Sequence, residues 1–256
     1  MAQMISQLVS KPITGSEMTK FTGIVAMSLF TKKLANYLLV VSSLLLLSTH
    51  SVAQEFFAPP QEKGKLVVVL SGASGPERYK DFSQSISQLG YSVLLLDGRD
   101  VPPIGGFSAS NLKRFISDAQ KNPKIISGDL VVIGLSLGGG GALVNAVQGE
   151  NGIKGVIAMY PAIAKISLKS VAINNVQVPT LILAGEKDTF NNCCLIEYMN
   201  EYYDSAKQSG KKIELITFPN AGHGFNLKSA GGYKETEAKE SFSHIKVFLQ
   251  KYLPAD

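Results

Sequence analysis

Residues 130–141 read Leu-Val-Val-Ile-Gly-Leu-Ser-Leu-Gly-Gly-Gly-Gly, an apolar run that passes directly into a glycine-rich turn. Its four leading apolar residues, three of them β-branched, are typical of a strand buried on both faces. Gly134 and Gly138 permit a sharp turn, and a helical pattern begins at Leu137. The stretch is therefore a G-x-S-x-G pattern around Ser136, placed between a strand and a helix as a nucleophile elbow requires. A plain glycine-rich turn is the alternative interpretation.

Five more apolar runs of the same kind flank this strand, at residues 66–70, 92–96, 155–159, 180–183 and 213–217. Between them, apolar residues at three- and four-residue spacings predict helices over residues 79–89, 108–121, 137–148, 195–209 and 235–253. Strands that alternate with helices predict an α/β fold, with a mostly parallel sheet of about six strands covered on both faces. The sequence contains no internal repeat and no second apolar core, so residues 54–256 are predicted to form one domain.

The N-terminal region has the pattern of a signal peptide. Lys32 and Lys33 precede 14 mostly apolar residues, 34–47, and Ser51-Val-Ala53 then provides a small-x-small cleavage site. We therefore expect residues 1–53 to be removed and the protein to be exported, to the periplasm or outside the cell. A membrane anchor is the alternative, but a span needs roughly 20 apolar residues. A better-shaped signal begins at Met27, which suggests that the start codon is over-extended.

Charge gives no indication of a nucleic-acid partner. The formal net charge is +5, of which the four lysines and one glutamate of residues 1–53 contribute +3. The remaining chain has no cluster of basic residues, so we expect neither DNA nor RNA as a partner.

Cysteine usage is sparse, because the two cysteines, Cys193 and Cys194, are neighbours in sequence. They cannot connect distant parts of the fold. A vicinal disulfide is one interpretation, and two half-buried thiols on a helix is the one we favour. No second cysteine pair or histidine cluster completes a metal site, so we expect no metal and no cofactor.

A serine hydroxyl needs a base to become nucleophilic, and residues 54–256 contain two histidines. His244 lies within a predicted helix, where a packed or solvent-facing role is natural. His223 follows the last predicted strand in Pro219-Asn-Ala-Gly-His-Gly-Phe225. Ligands of an open parallel sheet lie at the carboxyl ends of the strands, where Ser136 also lies, so His223 is the predicted base.

The imidazole needs a carboxylate that fixes its tautomer and stabilises its positive charge. Asp188 follows the fifth of these runs in Leu183-Ala-Gly-Glu-Lys-Asp-Thr189, and Glu186 in the same turn is the alternative. Asp97 precedes the serine in the chain and does not fit the order. The order serine, aspartate, histidine is that of α/β-hydrolases.

The elbow at Ser136, the Ala-Gly-Glu-Lys-Asp188 turn and the Ala-Gly-His223-Gly-Phe segment resemble the dienelactone hydrolase family of α/β-hydrolases, over about residues 64–254. The resemblance implies an α/β-hydrolase fold with no lid between Tyr160 and Thr180. It also implies cleavage of an ester or related acyl bond in a small soluble substrate.

Four positions depart from the pattern of those family members that open dienelactones. Such enzymes use a cysteine nucleophile and a nearby glutamate, where this chain has Ser136 and Ser71. They also use two arginines to hold the substrate carboxylate, whereas Leu227 stands four residues after His223 and Arg99 only approximates the other position. A general serine esterase therefore fits the sequence better than a dienelactone hydrolase.

The oxyanion of an acyl-transfer intermediate needs two preorganised N–H donors. Leu137, the residue after the nucleophile, supplies the first. The second is expected from the loop after the first core strand, Ser71-Gly-Ala-Ser-Gly75, at Gly72 or Ala73.

The predicted function is hydrolysis through an acyl-enzyme on Ser136, followed by attack of a water molecule that His223 activates. An acyltransferase of the same fold is the nearest alternative, since an alcohol can intercept the same intermediate. A hydrolase-fold binding protein without catalytic activity is the other, because fold does not imply function. The sequence contains no signal that predicts the acyl chain or the oligomeric state.

Overall fold

The computed structural model describes residues 54–104, 107–163 and 173–255. The signal peptide predicted over residues 1–53 lies outside these ranges, so its removal and the export of the protein stay predictions. Part of the segment predicted to lack a lid, residues 164–172, also lies outside them. Across the described residues, no helix combines the length and the hydropathy that a membrane span needs.

A seven-stranded sheet organises the described residues, and all six predicted strands are present in it. The strands are β1 Gln54–Phe57, β2 Gly64–Leu70, β3 Ser92–Leu96, β4 Ile125–Leu135, β5 Ile153–Met159, β6 Thr180–Gly185 and β7 Ile213–Phe218. Their order in the sheet is β1-β3-β2-β4-β5-β6-β7. All neighbouring pairs are parallel except β1 with β3. The sequence analysis missed β1, because its four residues are partly exposed and carry no apolar run.

Five α-helices of the described residues cover both faces of the sheet. They are α1 Lys80–Ser87, α2 Ser108–Ala119, α3 Leu137–Asn145, α4 Ile196–Gln208 and α5 Glu235–Tyr252. Apolar side chains of α2, α3 and α4 pack with one set of strand side chains, represented by Val68 of β2. Those of α1 and α5 pack with the alternate set, represented by Val67 and Val69. The fold is thus the predicted three-layer α/β arrangement, with β4 near its centre.

Helix α3 lies unusually close to the sheet because its first turns are made of glycine. A Cβ atom on Gly138 would lie 2.4 Å from the Leu70 carbonyl oxygen and 2.5 Å from that of Ser71. A Cβ atom on Gly141 would lie 1.9 Å from the Val101 carbonyl oxygen. Gly138 therefore sets the distance between the helix and the end of β2, and Gly141 sets its distance to the segment that contains Val101.

The preferred interpretation of the two cysteines as thiols on a helix is wrong. Cys193 follows a short 3-10 turn, Phe190–Asn192, and helix α4 begins only at Ile196. Cys193 and Cys194 form a disulfide with each other. Helix α4 does not extend back to the cysteines, because Leu195, the residue that precedes the helix, has an extended backbone.

We expect Gly138→Ala to lower the free energy of unfolding by about 1–3 kcal/mol, as overpacking against rigid atoms does. The added methyl group would meet two backbone carbonyl oxygens that cannot move independently of β2. Chemical denaturation of the purified variant measures the effect. Gly231→Ala is the matched control, because a Cβ atom there would meet no heavy atom within 4 Å. Equal midpoints for the two variants would contradict this account of the close approach.

Candidate active site

Ser136 occupies a strained turn between β4 and α3. Its backbone is left-handed, with φ 55° and ψ −116°, a region that a residue other than glycine rarely adopts. The Ser136 N–H donates to the Met159 carbonyl oxygen at 3.0 Å, and its own carbonyl oxygen accepts from Ala162 N–H at 2.9 Å. These bonds to the segment that follows β5 hold the turn, and the side chain remains 7% exposed.

The structure brings the three predicted residues together. Ser136 Oγ lies 2.8 Å from His223 Nε2, and His223 Nδ1 lies 2.8 Å from Asp188 Oδ2. Asp188 is 2% exposed, and its Oδ1 accepts the Phe190 N–H at 3.0 Å. With Nδ1–H donating to the carboxylate, Nε2 is free to accept the serine proton. The arrangement has the connectivity of a Ser-His-Asp triad.

The two alternative residues lie elsewhere. Glu186 Oε1 accepts a hydrogen bond from the Thr217 hydroxyl at 2.7 Å, in an exposed position. His244 lies in α5 and does not line the cavity that contains Ser136. The structure therefore places Asp188 and His223, rather than Glu186 and His244, beside the serine.

Two aromatic rings that the sequence analysis did not identify as site residues enclose the imidazole. Phe190 stacks on the His223 ring with centroids 4.5 Å apart and planes 12° apart, although it is 50% exposed. The Tyr160 ring meets His223 edge-on at 4.9 Å. Tyr160 directly follows β5. Because ligands of a parallel sheet bind at the carboxyl ends of its strands, Tyr160 could have been predicted as a site residue from the sequence.

The Tyr160 hydroxyl is fixed as a hydrogen-bond donor. It donates to Asn226 Oδ1 at 2.7 Å. Burial, with a further contribution from the Asp188 charge, raises the pKa of Tyr160 well above its usual value. The phenol therefore stays neutral at any pH that the protein encounters, and it adds no charge beside the histidine.

The predicted oxyanion-hole residues lie beside Ser136, and the structure separates the roles of Gly72 and Ala73. Leu137 is the first residue of α3, so its N–H has no partner within the helix. A Cβ atom on Gly72 would lie 2.1 Å from the buried Tyr79 hydroxyl, so the Gly72 backbone packs directly against that side chain. Ala73, and not Gly72, lines the cavity with Ser136. Of the two residues predicted to supply the second donor, Ala73 is therefore the one that faces the cavity.

A cavity of about 330 Å³ opens onto the serine hydroxyl and the imidazole. Its walls are mostly apolar or glycine, and Arg78 is the one charged residue among the described residues that line it apart from the histidine. A second cavity, of about 610 Å³, shares Arg78 and Leu227 with the first but contains none of the triad residues. The volume at Ser136 suits a small ligand.

The positions that differ from dienelactone-opening enzymes have other roles here. Ser71 is fully buried, and its hydroxyl accepts the Gly98 N–H at 3.1 Å, so it connects two loops. Arg99 pairs with Asp97 and is absent from the lining of the cavity at Ser136. Leu227 contributes an apolar side chain to that lining.

Comparison with known proteins confirms the family resemblance. A family model described as the dienelactone hydrolase family matches residues 108–253. No curated protein sequence matches the chain.

Solved structures with the same fold cover 78% of this chain. A protein from Klebsiella pneumoniae assigned as a dienelactone hydrolase is 18% identical, with 92% of its chain covered and a TM-score of 0.68. A dienelactone hydrolase-like promiscuous phosphotriesterase, P91 from metagenomic libraries, is 17% identical, with 92% covered and a TM-score of 0.61. Est1E from Butyrivibrio proteoclasticus is 16% identical, with 93% covered and a TM-score of 0.60. At these identities the likeness shows the fold.

Tyr160→Phe is expected to lower the free energy of unfolding by about 1 kcal/mol, because Asn226 loses its partner while the ring beside His223 remains. Thermal or chemical denaturation measures the change. A double-mutant cycle with Asn226→Ala isolates the hydrogen bond, since the second substitution should then cost less in the Tyr160→Phe background. Additive effects of the two substitutions would mean that the bond contributes nothing.

Proposed function

The chain belongs to the dienelactone hydrolase family of carboxylic-ester hydrolases, and we propose that it hydrolyses a small ester through an acyl-enzyme on Ser136. The observation that carries this proposal is the pair of 2.8 Å contacts that link Ser136 Oγ, His223 and Asp188. These contacts orient each group as its role requires. The acyl-enzyme and the roles of the individual residues are inferred from this geometry.

In the first half-reaction, Ser136 Oγ attacks the carbonyl carbon of the ester while His223 Nε2 takes the serine proton. Asp188 stabilises the imidazolium that forms, and burial strengthens this interaction because little solvent screens it. The N–H groups of Leu137 and Ala73 stabilise the oxyanion. Such donors act only on charge that develops in the transition state, so they raise the rate rather than the affinity.

The first half-reaction ends when the tetrahedral intermediate collapses: His223 gives its proton to the departing alcohol oxygen, and the acyl group remains esterified to Ser136. In the second half-reaction, a water molecule replaces the alcohol, and His223 takes one of its protons as the water oxygen attacks the acyl carbon. The second tetrahedral intermediate collapses when His223 returns that proton to Ser136 Oγ, which releases the carboxylic acid and restores the serine.

The cavity limits the substrate to a small ester. Its volume of about 330 Å³ holds a short acyl chain, and its apolar walls favour a hydrocarbon one. Arg99 and Leu227 do not reproduce the paired arginines of dienelactone-opening enzymes. The carboxylate of a dienelactone substrate would therefore not be bound by two arginines at these positions. We also propose that the enzyme acts after export, on the basis of the signal-peptide pattern in residues 1–53.

We expect Ser136→Ala to reduce kcat for p-nitrophenyl acetate by about 10⁴-fold or more, because the nucleophile is lost while the fold is kept. Labelling by a fluorophosphonate probe should disappear with it. Ser209→Ala is the matched control, since Ser209 is an exposed hydroxyl at the end of α4 whose only role is a bond to the Ser205 carbonyl oxygen. A folded wild type that neither hydrolyses the ester nor takes the label would refute the proposed function.

Ala73→Pro removes one backbone N–H, and we expect it to lower kcat by about 10²–10³-fold if that group stabilises the oxyanion. Ala73→Ser alters the side chain at the same position but keeps the donor, so the ratio between the two variants isolates the N–H. Steady-state kinetics, with thermal unfolding to verify that both variants fold, measures the ratio. Equal rates for the two variants would assign the second donor to another residue.

A further inference from the structure

We propose that the disulfide between Cys193 and Cys194 is a positioning element of the active site. It holds the segment of residues 188–194 against His223, so that breaking it lowers the rate of acyl transfer while the fold persists. The proposal rests on the triad proposed above. The disulfide takes no part in the bond-making steps of that reaction, and the proposal assigns it a positioning role.

The disulfide lies directly beside the acid and the base. The Cys194 Sγ, a carboxylate oxygen of Asp188 and a ring nitrogen of His223 all lie within 4.8 Å of one another. Because the sulfur is bonded to Cys193, it has no thiolate to offer a metal ion, and its relation to the pair is one of packing. Cys194 is 1% exposed and belongs to the apolar core that includes Met199 of α4. The Cys194 half of the disulfide thus lies against the catalytic pair and in the core at once.

The backbone of the segment that ends at the disulfide is held in an unfavourable conformation. Asn191 and Asn192 are both left-handed, with φ 47° and 51°. Asparagine tolerates this conformation better than most residues, but two in succession still cost free energy. Such conformations persist only where the surroundings fix them.

Both ends of the segment are fixed. At its start, Asp188 Oδ1 accepts the Phe190 N–H at 3.0 Å. At its end, the Cys193 N–H donates to the Phe190 carbonyl oxygen at 3.0 Å, and the disulfide closes a covalent ring that fixes the Cys193 side chain to that of the buried Cys194. The Phe190 ring lies between these two anchors and stacks on the imidazole. Although half of that ring is exposed, its position depends on the anchors on either side.

Breaking the disulfide removes the second anchor. A covalent ring between adjacent residues restricts the backbone torsions of both, and two free thiols do not. Cys194 would also become a polar, ionisable thiol next to the Asp188 carboxylate. Phe190 and Asp188 would then hold His223 less firmly in the orientation that the serine requires.

The expected effect is on the chemical step. Asp188 and His223 act on the charge that forms in the transition state, whereas the cavity walls bind the ground-state ester. Misplacement of a catalytic group by about 1 Å can cost 10²-fold in rate. We therefore expect a roughly 10-fold lower kcat with KM changed less than about 3-fold.

The experiment compares the wild type before and after treatment with tris(2-carboxyethyl)phosphine. The phosphine donates two electrons to the disulfide and becomes its oxide with the oxygen of one water molecule, whose two protons go to the two thiols. Kinetics with p-nitrophenyl acetate give kcat and KM, and thermal unfolding shows whether the reduced protein is folded. The low-field proton resonance of the His223 Nδ1–H reports on its hydrogen bond to Asp188.

Cys193→Ser/Cys194→Ser is the matched variant, because it lacks the disulfide under all conditions. We expect it to share the lowered kcat and the altered resonance of the reduced wild type, and to be unaffected by the phosphine. Should this variant fail to fold, the reduced wild type alone decides the question, since it keeps every native side chain.

Three results would overturn the inference. The first is complete reduction with kcat unchanged within 2-fold and the same His223 resonance. The second is global unfolding on reduction at the assay temperature, which would indicate a purely structural bond. The third is alkylation of both cysteines in the unreduced protein, which would show free thiols. An inactive, unlabelled wild type would instead refute the proposed function and is recognised before any reduction.

Discussion

The left-handed backbone of Ser136 is the constraint on which the rest of the site depends. It turns the chain from β4 directly into α3, the geometry of a nucleophile elbow. Met159, the last residue of β5, and Ala162 after it bond to the turn on both sides. The turn also requires the glycine run of α3, since a side chain at Gly138 would meet the end of β2 and one at Gly141 would meet the Val101 carbonyl oxygen. Strain at one residue is thus compensated by packing along an entire helix.

Parallel strands then bring the other two groups to the same edge. Asp188 follows β6 and His223 follows β7, and the histidine stands 87 residues from the serine in sequence. Because all of these strands run in one direction, their carboxyl ends meet at one side of the sheet, and short loops suffice to join the side chains. Burial of Asp188 makes its interaction with the imidazole strong, and it also makes a misplaced carboxylate costly. The acid therefore needs the firm support that its loop provides.

The sequence allowed the six principal strands and the relation of Ser136, Asp188 and His223 to be predicted, because continuous apolar runs and residues after strand ends are local signals. It did not reveal β1, whose pairing with β3 is decided by tertiary contact. It did not reveal the Phe190 ring on the imidazole either, since stacking across a loop depends on two left-handed asparagines that no periodicity marks. The cysteines were misinterpreted because they lie between the 3-10 turn Phe190–Asn192 and α4, and nothing local in the sequence indicates that their sulfur atoms bond to each other.

The site therefore has two walls of different physical character. Ser136 and Tyr160 form one wall, and both directly follow core strands. A substitution that disturbs this wall therefore also disturbs the packing of the sheet and lowers the stability of the domain. Phe190 forms the other wall, and it lies in a loop whose conformation is fixed by a few hydrogen bonds and one disulfide. Changes there act on the orientation of His223 before they act on the core. Stability and catalytic rate are for this reason separable properties of this chain, even though the atoms that carry them lie within a few ångströms.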